Sequence, residues 1–480
     1  MKIKYLYINN YKKFRNFEVR FDLGSDNSLV SSIFDKMNIT ALIGENGSGK
    51  TTILSFISII FRYLQRKQSE IPSDFILKYQ IEDAEVELSK LEENIFISIN
   101  GQPKRLLLEY DLKKGYIRKK SQERVEENGI TYDEVVGYLP RIVVVSSFDI
   151  DYPSGYAWNY IGHRLVQMSS GYDFQKKSIM GLDISLGIFK FMNAFYGTNQ
   201  YFTELVQSLG LNLSDKVCAY HKQEYLGSES EIREKIIDIL YGNEITNREN
   251  LAKLIINGDY FRQYFSGGDE DLAPPYELFN LRNCLNTKIY HSQILELMIK
   301  ENIFYINDFY LSKNGFEYSM SKMSTGEKMF LGRIFFILSN IQDNAIVILE
   351  EPEVHLNYSW VKQIISVFIL LFNSYKSHFF ISSHNYSFIN NLMSEQILVM
   401  GDEAALVPEF KTLLCNNEEL NYHVFKKNNV KNYIEYYIQK LLVDNKIDEL
   451  KEVFKYLGES YTKVKLFKKL IELGEIHVED

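Results

Sequence analysis

Hydrophobic and polar positions change period several times along the chain, and each change predicts an element. Ile3, Tyr5 and Tyr7 alternate with polar neighbours, and Phe17, Val19 and Phe21 do so again beyond Asn9–Arg15. A period of two is that of half-buried strands, so two strands are expected to feed the apolar run Ile39–Ile43. A helix follows from Lys50 to about Gln65. Residues 66–85 are polar and contain Pro72, which predicts a loop. Ile95–Ile99 and Arg105–Tyr110 read as strands turned by Asn100-Gly101. Arg141–Val145 lacks alternation and is expected to be buried on both faces. Residues 155–300 are mostly helical by pattern, including Ser185–Phe195, Glu231–Leu240 and Ile294–Ile299, with loops at Gly227 and Ser266–Asp271.

Two further apolar runs, Ala345–Leu349 and Phe379–Ile381, have the length of buried strands. The first ends in Glu350-Glu351-Pro352-Glu353 and the second in Ser382-Ser383-His384. Ahead of them Met323-Ser324-Thr325-Gly326-Glu327 opens a helix, with Ser324 and Glu327 spaced as a capping box. Past Gly401 three stripes recur at helical spacing. They are Ile434, Tyr437, Ile438, Leu441 and Leu442; then Ile447, Leu450, Val453, Phe454 and Leu457; then Val464, Phe467, Leu470 and Ile471. Three short antiparallel helices are expected there. No heptad is sustained, which excludes long coiled-coil arms, and no fixed-period repeat is present.

Composition narrows the class. The chain has 480 residues and a net charge of −9, from 54 basic and 63 acidic residues. A uniformly basic nucleic-acid surface is therefore excluded, and Lys113-Lys114 and Arg118-Lys119-Lys120 read as solvated faces. The aromatics, 34 Tyr and 32 Phe against 2 Trp, are spread throughout and read as core filling. Cys218, Cys284 and Cys415 form no C-x-x-C pair, which argues against structural zinc and a disulfide framework. The N-terminus has no apolar leader and Val367–Phe372 is too short to span a bilayer. A cytoplasmic protein without a membrane partner is expected.

The chemistry starts at Gly44-Glu45-Asn46-Gly47-Ser48-Gly49-Lys50-Thr51-Thr52, which has the spacing G-x-x-x-x-G-K-[ST] between a buried strand and a helix. Glycines let successive N–H groups turn toward an anion, and the helix N-terminus adds partial positive charge. Lys50 is expected on the β and γ phosphates of ATP and Thr51 on Mg²⁺. Carboxylates at the tip of a parallel strand are where an α/β sheet holds Mg²⁺ and its attacking water, which points to Glu350 and Glu351. Taken alone, the S-T-G-E segment is a capped helix and the strand-terminal histidine a structural one.

In this order, phosphate loop, S-T-G-E, E-E-P-E and S-S-H resemble the ABC-type ATPase heads of the SMC, RecF and OLD class. The resemblance covers roughly 1–50, 140–150 and 320–400. It implies an α/β P-loop NTPase fold of ABC/SMC-head type, with a β-rich N-terminal lobe, a helical insertion and a small helical C-terminal cap. The expected divisions are an ATPase lobe at 1–155, the insertion at 156–315, a second ATPase lobe at 316–405 and a partner-docking region at 406–480. The resemblance also implies a homodimer closed on shared ATP, with any higher assembly left open. Ser324, Gly326 and Glu327 of one subunit would complete the site built by Lys50 of the other. Glu351 would polarise the water, and His384 would contact the γ-phosphate.

Two departures stand out. Glu350 occupies the usual Walker B aspartate position, which implies slow turnover, and no glutamine marks a Q-loop; Ser146-Ser147-Phe148-Asp149 is its expected substitute. No D-x-D follows His384, as a Toprim nuclease would need, and no H-N-H or H-E-x-x-H is present. A separate effector is implied. Tyr138–Asp149 resembles a stretch of Septu-type and retron-associated anti-phage ATPases, whose partners would be an HNH nuclease or a reverse transcriptase with its nucleic acid. The alternatives are a PARIS-type ATPase with a Toprim effector, a RecF-like repair ATPase and a transporter subunit; the last is disfavoured by E-E-P-E and by the strands ahead of the phosphate loop.

Overall fold

The computed structural model describes residues 1–22, 28–66, 71–108, 110–111, 116–117, 129–146, 164–168, 184–222, 228–242, 248–267, 272, 275–288, 290–313, 315–354, 356–385, 389–401, 404–415, 433–457 and 461–473. They fall into two compact units, 1–420 and 421–480. Among these residues no helix is long and apolar enough to cross a membrane.

A seven-stranded sheet carries the site. Its order is 164–168, 142–146, 345–350, 377–383, 37–43, 397–400 and 405–406. All neighbours are parallel except the last pair. Ile142–Ser146, Ala345–Glu350 and Ser377–Ser383 are buried throughout, as strands covered on both faces must be. The strand ending in the glutamates neighbours the strand ending in histidine, which neighbours the strand ending in the phosphate loop. Register pairs Glu350 with Ser382 and Ser383 with Ile43, so three sequence-distant tips end side by side.

A second seven-stranded sheet runs 129–130, 105–107, 94–99, 84–91, 75–81, 2–11 and 14–20. The helix Lys50–Arg66 shares one core with both sheets: Phe56 and Phe61 sit with Ile3, Leu6 and Phe75 from one sheet and Ile346 and Phe380 from the other. Phe61 meets Tyr79 edge-on at 5.7 Å, and the Tyr79 hydroxyl donates to the Tyr138 carbonyl at 2.8 Å.

The N-terminal strands, Lys2–Tyr11 and Phe14–Arg20, pair within this second sheet rather than beside the phosphate-loop strand. A bulge between Ile3 and Tyr5 resets the alternation, so Ile3, Leu6 and Ile8 face the core while Tyr5 and Tyr7 do not; one extra residue on one strand does this. The loop expected over 66–85 holds a strand, Phe75–Ile81, with Phe75, Leu77, Tyr79 and Ile81 buried. Asn100 and Gly101 both have positive φ, 52° and 71°, as the expected tight turn requires.

The 156–315 stretch contains the expected helices at 185–195, 229–241 and 291–300. It also contributes 277–280, 213–221 and 304–313 to a four-stranded sheet completed by 316–319, so it is mixed α/β rather than purely helical. The pairing of 213–221 with 304–313 spans far more chain than any periodicity window. Residues 223–227, 268–271 and 147–149, where the Gly227 loop, most of the acidic loop and most of the Q-loop substitute were expected, lie outside the described residues.

The insertion is fastened to helix Thr325–Asn340. Gly187 N–H donates to Ser339 Oγ at 2.8 Å and Lys190 Nζ to the Leu338 carbonyl at 3.0 Å. A β-carbon on Gly187 would lie 2.0 Å from the Phe335 carbonyl oxygen. Glycine-to-alanine inside a helix ordinarily stabilises by about 1 kcal/mol. Here the sign reverses: Gly187→Ala is expected to cost roughly 1–3 kcal/mol, read as a lowered melting temperature.

In the second unit, helices 433–443, 447–456 and 461–472 bury Ile438, Leu441, Leu450, Leu466 and Leu470 together. Phe454 stacks on Phe467 at 5.9 Å. Val464, expected in the stripe, is 49% exposed; Leu466 takes the inward position.

Candidate functional site

The phosphate loop follows the strand Met37–Ile43 and opens the helix Lys50–Arg66. Gly47 and Gly49 have φ of 77° and 98°. A β-carbon on Gly49 would also strike the Phe14 ring at 2.4 Å, so this position admits only glycine. Glu45, Asn46, Gly47 and Thr51 are exposed, Thr52 is half-buried, and Gly44 and Ser48 are buried. Ser48 Oγ is buried without a hydrogen-bond partner. Buried hydroxyls are seldom left so, and an anion seated in the loop would supply the acceptor.

Lys50 is 6% exposed. Its Nζ donates to the Gly44 and Glu45 carbonyls at 2.9 and 3.0 Å and lies 3.4 Å from His384 Nδ1. Burial lowers its pKa to about 8, against the opposing charges of Glu351, Glu353 and Glu350. The ammonium is held on exchangeable backbone partners rather than in a carboxylate pair, which leaves it free to move to phosphate oxygens.

Glu351 lies one residue past the strand Ala345–Glu350. Its Oε1 is 3.0 Å from His384 Nε2, and its N–H donates to the Ser382 carbonyl at 2.8 Å. Burial and then the Lys50 charge lower the His384 pKa, while Glu351 opposes them, and with Nδ1 turned to the Lys50 ammonium the Nε2–H is left to donate to Glu351. Lys50, His384 and Glu351 thus form one connected set from three adjacent strand tips. Glu350 is buried at the end of its strand.

Ser324 and Glu327 cap the helix Thr325–Asn340 reciprocally. Ser324 N–H donates to Glu327 Oε2 at 2.9 Å and Glu327 N–H to Ser324 Oγ at 3.4 Å. The Ser324 carbonyl also accepts from Lys328 N–H at 3.0 Å, and Gly326 lies in the first turn.

Two contributors were not assigned from sequence. Lys13, from the turn between the first strands, donates to the Gly47 carbonyl at 2.8 Å and its stem lies against Gly49. Only the fold brings residue 13 to the loop; the Lys12-Lys13 pair was its sole sequence signal. Lys13→Met is expected to weaken ATP binding about tenfold, the scale of one charge-assisted hydrogen bond, read as Kd by titration. Glu353 is buried, and its Oε1 accepts from the Ser383 hydroxyl and from His384 N–H at 3.3 Å. Burial raises its pKa. It ties the glutamate tip to the histidine tip, and its signal was the third glutamate of E-E-P-E.

Thr51 and Glu350 are a hydroxyl and a carboxylate, donors of the kind that would hold a Mg²⁺ carried in by phosphate oxygens and water. Among the described residues no cluster of three His, Cys, Asp or Glu is suited to hold a metal without such help. The donor set therefore fits a nucleotide-borne ion, whose chemistry would be charge neutralisation on the phosphates.

Two family models match the chain. Residues 1–139 match "AAA ATPase domain" and residues 221–390 match "AAA domain, putative AbiEii toxin, Type IV TA system". The phosphate loop on its parallel sheet and the two partial matches make the chain similar to P-loop ATPase domains. The chain is also similar to the retron Vc95 probable ATPase of Vibrio cholerae serotype O1 biovar El Tor, with 23% identity over 424 residues, covering 82% of this chain and 75% of that one. Solved structures with a loose likeness include the SMC head domain from Thermotoga maritima, at 13% identity and a TM-score of 0.31, covering 85% of this chain and 100% of that one. Another is an Smc head from Pyrococcus furiosus bound to the C-terminal domain of ScpA, at 12% identity and a TM-score of 0.35, covering 85% and 96%. That likeness is too loose to place any residue.

Proposed function

We propose that this chain is the ATP-hydrolysing regulatory subunit of a retron- or Septu-type bacterial anti-phage system, controlling a separate effector. The observation that carries the reading is the connected set Lys50–His384–Glu351, in a chain similar over most of its length to a retron ATPase. ATP is bound with Mg²⁺ between two copies of the chain. Lys50 exchanges the Gly44 and Glu45 carbonyls for the β and γ phosphates, and Thr51 and Glu350 would hold the Mg²⁺, which would neutralise charge on the phosphates. Glu351 orients and polarises the attacking water. His384, held by Glu351 and by Glu353, meets the γ-phosphate. Ser324, Gly326 and Glu327 reach the triphosphate of the opposite subunit. Glu350 in place of aspartate makes turnover slow, and the bound state is the long-lived signal that the effector reads. The helical region at 406–480 is its docking module.

Affinity purification of the full chain from its native host, followed by mass spectrometry, tests the reading. An HNH nuclease or a reverse transcriptase recovered at stoichiometric amount supports it. Recovery of chromosomal DNA alone would favour a repair ATPase, and a membrane permease a transporter subunit.

A further inference from the structure

Glu351 has a φ of 42°, in the left-handed region where a β-carbon crowds the following carbonyl. For a residue other than glycine this costs on the order of 1 kcal/mol or more and persists only where the surroundings over-determine it. Both backbone polar groups of Glu351 are held. Its N–H donates to the Ser382 carbonyl at 2.8 Å, and its carbonyl accepts from Val354 N–H at 3.2 Å and from Arg333 Nη1 at 3.3 Å.

Arg333 lies in the middle of helix Thr325–Asn340, within the apolar run Phe330-Leu331-Gly332-Arg333-Ile334-Phe335-Phe336. It is 4% exposed. Burial lowers its pKa to about 9 while Glu353, Glu350 and Glu351, in that order, oppose the shift. A guanidinium removed from water costs several kcal/mol before its partners are counted, and an apolar side chain of similar volume would often stabilise the fold as well or better. Packing alone does not account for an arginine here. Its hydrogen bond falls on the backbone of the residue whose direction matters most for water activation.

We propose that Arg333 is a positioning residue for ATP hydrolysis: as the side-chain partner beside Val354 N–H on the Glu351 carbonyl, it holds the left-handed turn that aims the Glu351 carboxylate at His384 and the water. The proposal rests on the reading of Glu351 as the hydrolytic carboxylate. In this reading Arg333 acts through the Glu351 backbone rather than on the nucleotide. Its removal is therefore expected to act on the rate and not on affinity, because a misplacement of about 1 Å in a catalytic group can cost on the order of a hundredfold.

The test compares Arg333→Met, Arg333→Lys and Glu351→Gln in the full-length chain, measuring kcat, KM, ATP Kd and melting temperature. Arg333→Met is expected to lose kcat roughly a hundredfold with KM and Kd within about twofold. Arg333→Lys is expected to recover part of the rate, because a single ammonium cannot reproduce the planar fork. A generally loosened structure would move Kd and melting temperature together with kcat, and that pattern overturns the proposal. So does a wild-type kcat in Arg333→Met beside an inactive Glu351→Gln, which leaves the reading of Glu351 intact. If Arg333→Met does not fold, Arg333→Lys decides: a kcat about tenfold down at unchanged KM supports the role, and a wild-type kcat removes it. If Glu351→Gln hydrolyses at the wild-type rate, the assignment of Glu351 falls, and this proposal with it.

Discussion

Glu351→Gln is expected to bind ATP as the parent protein does and to hydrolyse it about a hundred to a thousand times more slowly, the scale of losing a positioned general base. The amide keeps the length and shape of the side chain and can still meet His384 across the 3.0 Å contact, so the site should stay assembled. What goes is the charge that polarises water. No neighbour can stand in for it. Glu353 is buried with its Oε1 committed to Ser383 and His384, and Glu350 is assigned to the metal. Binding without hydrolysis should leave the protein in its ATP-bound form, so light scattering after size exclusion should show dimers with ATP and monomers without. An unchanged turnover rate would take Glu351 out of the catalytic role, and a tenfold loss of ATP affinity would recast it as a binding residue.

What the sequence disclosed and what it withheld divide along contact range. The phosphate loop is a local device, in which glycine spacing, lysine and flanking strand and helix all lie within one window. The tips at Glu350-Glu351 and His384 were legible for the same reason, whereas their adjacency is a matter of strand order that only the folded sheet supplies. The second unit's helices were legible because a 3.6-residue stripe repeats within each, although Leu466 rather than Val464 proved to face inward. The sheet joining 213–221 to 304–313 was not, since its two halves are far apart and each alone reads as an ordinary apolar run. The strand Phe75–Ile81 was hidden by its polar neighbours and Pro72, although its alternation was present. Lys13 and Glu353 share one obscurity with Arg333. Their roles are hydrogen bonds to backbone or strand tips that only the folded chain brings near.

Ser324→Arg and Lys50→Ala, each inactive alone, are expected to recover part of the activity when mixed. In a symmetric dimer closed on two triphosphates, each site takes its phosphate loop from one subunit and its serine-glycine helix from the other. Ser324→Arg puts a long cation where the capped helix must approach phosphate, and it also breaks the reciprocal bonds between Ser324 and Glu327. Its loop remains sound. Lys50→Ala removes the ammonium from the loop while its helix remains sound. A mixed dimer therefore contains one doubly damaged site and one intact site. Random pairing of equal amounts makes about half the dimers mixed, so roughly a quarter of wild-type turnover is expected if the sites act independently. Loss of the capping bonds alone costs on the order of 1 kcal/mol, which leaves Ser324→Arg folded and able to pair. A mixture no more active than either parent, with mixed dimers demonstrated by differential tagging, would place both halves of each site in one subunit.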